Sequence, residues 1–213
     1  GTLAAALGGT IAGWACTSFG VKRQRDWPIG PILAQAHGVL RNSTFWICAQ
    51  PVHLAIDGNG LFLRPYSELH LSSDESQMLF SFLQSRLAEH DLEMAHIDTG
   101  LWCIGTRGRH KLSTVDIDWA VHRRVDSLLP SGEDAAWWQR LLVEVQMSLH
   151  EHPLNLAREE RGQVSVNSIW LWGGGTVPVV RRHFDKICVF DPVLRAIALM
   201  SQAQQIDLPA NVE

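Results

Sequence analysis

The sequence has little charge and almost no tyrosine. Charged residues make up 19% of the 213 residues, and 18 Lys and Arg stand against 22 Asp and Glu, which gives a net charge of −4. This balance argues against a nucleic-acid-binding surface, because contacts to phosphates require clustered positive charge. Hydrophobic residues reach 46%, which is enough for a sizeable buried core. We therefore expect a globular protein that does not bind nucleic acid.

The short motifs that mark common catalytic and redox sites are also missing. The sequence has no C-x-x-C pair, P-loop, G-x-S-x-G, G-x-G-x-x-G or H-E-x-x-H. We interpret the four separated cysteines as buried thiols of a cytoplasmic protein. His150 and His152 are two residues apart, which is poor spacing for a helical zinc pair. The residues alone therefore predict no metal or cofactor.

The first 21 residues carry no charge, which raises the question of a membrane segment. Glycine and serine interrupt this run, and no basic stretch precedes it as in a secretory signal. We therefore predict no membrane association. Because the chain begins with Gly rather than Met, we also expect it to be a piece of a longer protein.

Nine tryptophans are unusual beside a single tyrosine. An indole ring is large and carries one hydrogen-bond donor, so each ring needs core volume, a stacking surface or a partner. Most of the rings are expected in the core. The alternative is a protein-interaction surface built from exposed tryptophans.

Strand and helix patterns alternate along the chain. Residues 45–56 read as a strand bent at Pro51, and the turn sequence of residues 57–60 predicts a hairpin with the strand that follows. A capping box at Ser72 and Glu75 opens an amphipathic helix. This alternation predicts a mixed α/β fold with one mixed sheet.

We divide the chain into an N-terminal helical connecting segment, residues 1–44, and a mixed α/β domain, residues 45–213. In the second part, residues 134–149 repeat apolar side chains at helical spacing, and Asp191-Pro192 opens a last helix. The basic loop of residues 106–111 is interpreted as a solvated turn in preference to an anion site.

Residues 148–178 carry the strongest chemical pattern: a helix, a turn capped by Asn155, an apolar strand and a glycine loop. Arg158 offers a planar fork for a phosphate or carboxylate. Glycines allow backbone N–H groups to approach an anion, and Asn155 and Asn167 add amide donors. The pattern indicates a small-anion site, and packing of the strand beside a glycine turn is the alternative.

The stretches HPLNLAREERG and VNSIWLWGGG in this segment resemble the signature of RpfE-type bacterial regulatory proteins. These are similar to archaeal-type cofactor-independent phosphoglycerate mutases of the alkaline phosphatase superfamily. The mutases share an H-P-x-N-x-x-R stretch and an N-S-x-W-x-W-G-x-G strand and loop. The resemblance extends more weakly upstream, to about Trp14.

The resemblance implies that this chain corresponds largely to the part inserted between the metal-binding pieces of a mutase. That part closes over the substrate and holds its phosphate and carboxylate. Carried over to matching positions, the substrate-side residues are His152, Asn155, Arg158, Asn167, Gly173, Gly174 and Gly175. The ligand that this implies is a small phosphorylated metabolite.

The chain also departs from the mutase pattern. An Arg-Cys-Asn type stretch is replaced by residues 49–53, and a Tyr-Arg pair is replaced by residues 101–103. The late metal ligands of the superfamily have no counterpart. We therefore predict a regulatory or small-anion-binding protein without mutase activity.

Two alternatives remain. One is an active metal-dependent mutase or phosphohydrolase, using Mn or Zn, whose other parts lie outside this segment. The other is an interaction module that docks a protein partner through surface tryptophans.

Overall fold

The computed structural model describes residues 9–58, 60–64, 66–121, 123–189 and 191–206. The helices in these ranges are α1 Ile11–Ser18, α2 Ile29–Ala36, α3 Ser73–Ala88, α4 Ile117–Ala120, α5 Ala135–His150, α6 Pro153–Glu160 and α7 Pro192–Met200. The strands are β1 Phe45–Asp57, β2 Gly60–Arg64, β3 Glu93–Asp98, β4 Leu101–Thr106, β5 Ser168–Gly175, β6 Lys186–Cys188 and β7 Gln204–Ile206. None of these helices is long and apolar enough to cross a bilayer.

The predicted mixed α/β class is confirmed, but the single mixed sheet is wrong. Five strands form an antiparallel sheet. Four of them follow the order β2-β1-β4-β3, and the fifth, β5, pairs with the edge of β1 opposite to β4. A separate two-stranded parallel sheet joins β6 and β7. Parallel strands need a crossover connection, and α7 supplies it between these two short strands.

The long strand β1 organises the larger sheet. It pairs with β4 up to Ala49 and with β2 from His53 onwards, and Pro51 lies between the two pairings. A residue without an N–H is tolerated where a ladder is interrupted. The predicted hairpin is confirmed, since Asp57 pairs with Gly60 and Gly58 has a φ of +56°.

The sheet separates two hydrophobic clusters. Alternate β1 residues, including Trp46 and Cys48, face a cluster that contains side chains of α1, α2 and α7. The intervening residues, including Phe45 and Ile47, face α3 and α5. The boundary proposed at residue 44 stays a prediction, although α1 and α2 belong to the same cluster as the sheet.

Helix α2 is not foreseen from the sequence, where Pro28 and Pro31 read as stop signals. Pro28 instead lies at the N-cap and Pro31 lies in the first turn, where a missing N–H breaks no helical bond. Gly30 lets the helix approach the sheet, because a Cβ there would lie 2.7 Å from the Ile47 Cα.

The capping box of α3 is confirmed, but the buried face differs from the expected one. The Ser72 hydroxyl accepts from the Glu75 N–H, and the Glu75 carboxylate accepts from the Ser72 N–H. The sequence pattern places Met78, Leu79, Phe82, Leu83 and Leu87 on one face, and Leu79, Leu83 and Leu87 are buried as expected. Met78 is instead exposed, and the buried face includes Phe80, which packs with Trp102 of β4.

Most tryptophans lie in the core, as expected. The buried rings are those of Trp46, Trp102, Trp138, Trp170 and Trp172. Trp14 and Trp119 are exposed. The prediction of buried, unpaired thiols is also confirmed for three of the four cysteines, and the fourth, Cys188, is partly exposed.

Candidate functional site

Arg158 lies on α6, is completely buried and is bound on every nitrogen by the chain itself. Its Nε donates to the Val164 carbonyl at 3.0 Å, and its Nη1 donates to Glu75 Oε2 at 2.7 Å. Nη2 donates to the Leu69 carbonyl. The arginine therefore joins α6 to the loop before α3 and to the capping box of that helix. This geometry gives Arg158 a structural role.

The ion pair also sets the charge state of Glu75. Partial burial alone raises the pKa of this carboxyl, but hydrogen bonds from the Ser72 N–H and from Arg158 outweigh it and leave the pKa below its usual value. Arg161 approaches the other carboxylate oxygen at 3.3 Å from an exposed position. Glu75 is therefore ionised at neutral pH and holds two arginines at one helix start.

Asn155 is buried within α6 and does not cap it. Its Nδ2 donates to the carbonyls of Leu149 and Val166, each at 2.7 Å, and its Oδ1 accepts from the Val166 N–H at 2.9 Å. The N-cap is His152, because Pro153 occupies the first helical position and its fixed φ suits a helix start. The predicted cap is thus wrong, and the Asn155 amide ties the end of α5 to the segment before β5.

His152 and Asn167 also make local bonds. His152 Nδ1 accepts from the Leu154 N–H at 3.2 Å, and its ring lies edge-on to Phe82. Burial lowers the pKa of this imidazole. The Asn167 amide pairs with Leu54, accepting from its N–H at 2.8 Å and donating to its carbonyl at 2.9 Å. Asn167 thereby extends the pairing between β1 and β5.

Gly173, Gly174 and Gly175 end strand β5 and are buried, so the predicted glycine loop is wrong. Gly173 has a φ of +66°, and a Cβ there would lie 2.8 Å from the Ile29 Cβ. A Cβ on Gly174 would meet the Phe45 ring at 2.7 Å. The glycines allow α2 and the Phe45 ring to pack closely on the strand. A β-bulge between the pairs formed by Trp46 and Cys48 shifts the register of β5 against β1 at these glycines.

The seven predicted residues do not form one pocket. His152, Asn155 and Arg158 share α6, whereas the glycines lie at the far end of β5. Asn167 and Gly173 are six positions apart along an extended strand, which corresponds to about 20 Å. The anion-binding assignment of these residues stays a prediction, and their contacts supply no support for it.

The basic loop of residues 106–111, which follows β4, is engaged in local contacts. Lys111 Nζ lies 2.5 Å from Glu133, and the Arg109 guanidinium lies 5.0 Å from the centre of the Trp137 ring. A cavity of about 740 Å³ beside this loop is lined by acidic residues, including Asp91, as well as by arginines. The loop therefore presents mixed charge and not the single-sign surface of an anion site.

A second cavity, of about 250 Å³, lies where the N-terminal ends of α1 and α7 approach the sheet. We name it the acidic cavity. Its polar and aromatic lining residues are Gln50, Tyr66, Asp98, Asp118, Trp172 and Asp191. The described residues that line it include no Lys, Arg or His. Such a surface repels phosphate and carboxylate groups and attracts cations.

Asp116 lies behind the acidic cavity at the start of α4. Its carboxylate accepts from the Thr10 hydroxyl at 2.8 Å and from the Asp118 N–H at 3.0 Å. Burial raises the pKa of Asp116 from 3.8 to about 6, and the charges of Asp118 and Asp191 add to this rise. Burial and Asp191 raise the pKa of Asp118 as well. The carboxylates here repel one another.

Sequence patterns identify Asp191 only as a helix start, and no motif marks Asp98 or Asp118. The three come together only through the tertiary fold. In the described part of the chain, no three His, Cys, Asp or Glu side chains are arranged to hold a metal ion. The acidic cavity therefore does not fit the metal centre that the mutase resemblance implies.

The raised pKa of Asp116 leads to a prediction for Asp116→Asn. In the fold this group loses its proton near pH 6, and in the unfolded chain near pH 3.8, so the charged form opposes folding. Stability therefore falls as the pH rises from about 4 to 6. The Asn carbonyl oxygen can still accept from the Asp118 N–H, and its NH₂ can donate to the Thr10 Oγ1, which reverses that bond. The charge is removed, and we expect a gain of about 1 to 3 kcal/mol at pH 7.

Urea unfolding of both proteins between pH 4 and pH 7.5 measures this effect. The gain should disappear towards pH 4, where the aspartate is already protonated. Asp126→Asn, at an exposed ion pair with Arg124, is the control, with an expected change within about 0.5 kcal/mol. A gain that stays constant over the whole pH range would contradict the assignment.

No model of a known protein family matches the chain. Curated relatives do: the chain is 29% identical over 126 residues to the 2,3-bisphosphoglycerate-independent phosphoglycerate mutase of Methanosarcina barkeri, covering 54% of this chain and 30% of the enzyme. It is 28% identical over 153 residues to the probable enzyme of Geobacter sulfurreducens, covering 70% of this chain and 38% of that protein. The chain thus spans about a third of the length of these relatives.

Solved structures share the fold. The cofactor-independent phosphoglycerate mutase from Thermoplasma acidophilum matches 92% of this chain and 57% of its own length, with a TM-score of 0.52 at 15% identity. The PH0037 protein from Pyrococcus horikoshii matches 90% of this chain and 46% of its own length, with a TM-score of 0.55 at 14% identity. The chain is distantly related to the 2,3-bisphosphoglycerate-independent phosphoglycerate mutases.

Proposed function

We propose that this segment is a cytoplasmic, phosphoglycerate-mutase-like binding or regulatory module that does not itself catalyse phosphoryl transfer. One observation carries the proposal. The side chains that match the mutase signature, Asn155, Arg158 and Asn167, bond the chain's own backbone and Glu75. The motif therefore maintains the fold here, whatever further role it has in a complete mutase.

The chemistry of phosphoryl transfer supports the same proposal. Transfer requires a positioned nucleophile and positive charge that neutralises the moving phosphoryl group. The acidic cavity offers three aspartates instead. The RpfE-type regulatory assignment is compatible with this, and it rests only on the sequence resemblance.

We predict that the segment does not interconvert 2- and 3-phosphoglycerate, with Mn²⁺ or with Zn²⁺ added. The measurement is a phosphorus NMR assay at millimolar substrate, with an active mutase as the positive control. Calorimetric titration with 3-phosphoglycerate should give no heat of binding, since Arg158 is fully buried and each of its nitrogens already bonds within the chain. Turnover that follows the metal concentration would overturn the proposal, and saturable heat without turnover would restore the small-anion role.

A second candidate is an active mutase or phosphohydrolase whose remaining parts lie outside this segment. The comparisons favour it in one respect, because the chain spans only 30% to 38% of the curated relatives described above. The same assay on a longer parent protein tests it. Metal-dependent turnover by the parent, absent from the segment alone, would assign catalysis to the missing parts.

A further inference from the structure

We propose that the acidic cavity and its rim dock a basic polypeptide segment, with an Arg or Lys side chain entering the cavity. This deepens the proposed binding role by naming a class of partner, and it rests on that role. The cavity walls carry Asp98, Asp118 and Asp191, and no basic side chain among the described residues lies opposite them. Charge complementarity therefore selects a cationic group.

The carboxylates of this region repel one another, and none of the described residues that line the acidic cavity is a cation. Asp116, Asp118 and Asp191 each belong to a helix start, and the negative charge of Asp191 raises the pKa of both others in addition to burial. The groups that face Asp116 are the Thr10 hydroxyl, the two aspartates and the thiols of α1 and β1. A bound guanidinium or ammonium would remove this repulsion.

Trp172 provides an independent observation. This ring lines the cavity and is only 6% exposed, and its Nε1 has no hydrogen-bond partner within the described chain. A buried N–H donor requires an acceptor. A hydrated metal ion offers only the oxygens of its water ligands, whereas a peptide offers carbonyl oxygens beside its cationic side chain. The combination of carboxylates with an unpaired donor therefore fits a peptide better than a bare cation.

Exposed apolar side chains lie on the same helices as residues that line the cavity, and they are of the kind found at protein interfaces. Ile11, which lines the cavity, is 45% exposed, and Trp14 lies one helical turn further along α1 at 41%. Trp119 follows Asp118 directly and is 50% exposed. The Arg123 guanidinium already stacks 3.5 Å from the centre of the Trp119 ring. Tryptophans of this kind are enriched among the residues that dominate binding energy.

The partner is therefore a polypeptide in which basic and apolar side chains alternate. The probe is a short, capped peptide of alternating Arg and Leu, and a Glu-Leu peptide of the same length is its counterpart. Binding is followed through the indole N–H signals of ¹⁵N-labelled protein, with the Trp172 and Trp119 signals assigned from Trp172→Phe and Trp119→Phe. We expect the Arg peptide to shift both signals, and the Glu peptide to shift neither.

Two double variants with the same change in net charge distinguish a specific effect of the cavity aspartates from a general effect of charge. Asp98→Asn with Asp118→Asn should weaken Arg-peptide binding by about tenfold or more, and added salt should weaken it further. Glu159→Gln with Glu160→Gln changes the net charge equally, at two exposed positions on α6, and should leave the affinity within about twofold.

Three outcomes overturn the proposal: equal losses in both double variants, shifts that spare Trp172, or competition by micromolar Mn²⁺, which would indicate a metal site. If the peptide does not bind, the turnover assay still tests the proposed non-catalytic role independently. If the peptide binds and the protein also turns over phosphoglycerate, the basic partner is supported and only the non-catalytic role is rejected. The two proposals therefore fail separately.

Discussion

Replacing Arg158 by Ala should lower the free energy of unfolding by about 3 to 5 kcal/mol. The guanidinium is fully buried, and its removal takes away a charge-assisted bond to Glu75 and the donors to the carbonyls of Val164 and Leu69. Both carbonyls would be left without this donor inside the protein, and the lost side chain would leave a cavity. Urea unfolding followed by tryptophan fluorescence measures the change.

Arg161→Ala is the matched control, because Arg161 reaches the same carboxylate from the surface. An exposed ion pair of this kind contributes little, and we expect a loss of at most about 1 kcal/mol. Glu75→Gln completes a double-mutant cycle with Arg158→Ala, and the coupling energy should exceed about 1 kcal/mol. A loss from Arg158→Ala no larger than that from Arg161→Ala would remove the structural role.

The Arg158 result also tests how the mutase signature is interpreted. A ligand-binding arginine with free donors would change phosphoglycerate affinity at little cost in stability. Replacing a structural arginine would lower the stability and leave phosphoglycerate affinity unchanged. Because Ala threatens folding, Arg158→Lys provides the second measurement: it keeps the charge, loses the planar fork, and should cost less stability than Ala. Phosphoglycerate binding that Arg158→Lys abolishes in a still-folded protein would assign the residue to a ligand site.

Local signals in the sequence predicted much of the fold. The hairpin, the capping box and the start of α7 follow from short-range turn and cap chemistry, which a few neighbouring residues determine. Helix α2 was missed because Pro28 and Pro31 read as breakers, although proline is compatible with a first turn. Residues 186–190 read as a short buried strand, but its parallel pairing with β7 was missed because the three-residue β7 carries no usable periodicity.

The candidate sites were harder to predict, because they depend on which distant residues meet. The sequence draws attention to the donors of Asn155 and Arg158, but their acceptors are backbone carbonyls and the distant Glu75 carboxylate, which no sequence pattern identifies. The acidic cavity gathers Asp98, Asp118 and Asp191 from three separate elements. Nothing in their spacing along the chain indicates that they are neighbours.

Asn155→Ala is the second substitution with a large expected effect, a loss of about 3 kcal/mol or more. The amide makes three short bonds inside the protein, to the Leu149 carbonyl and to both backbone groups of Val166. Alanine would leave the Val166 N–H and the Val166 carbonyl without partners, at about 1 to 3 kcal/mol each. It would also remove one donor from the Leu149 carbonyl, which keeps the His152 N–H. Asn155→Asp should be similarly harmful, because a carboxylate would face two carbonyl oxygens. Thermal and urea unfolding measure both variants.

Asn167→Ala is the comparison, because this amide makes the same kind of backbone pair at a partly buried position. It bonds only Leu54, and water can replace the lost partner, so we expect a loss of about 1 to 2 kcal/mol. The predicted order of destabilisation is therefore Arg158, Asn155, Asn167 and finally Arg161. An order that instead followed effects on phosphoglycerate affinity would show that these residues serve a ligand. The order expected from burial would show that the mutase signature in this chain acts as a framework for folding.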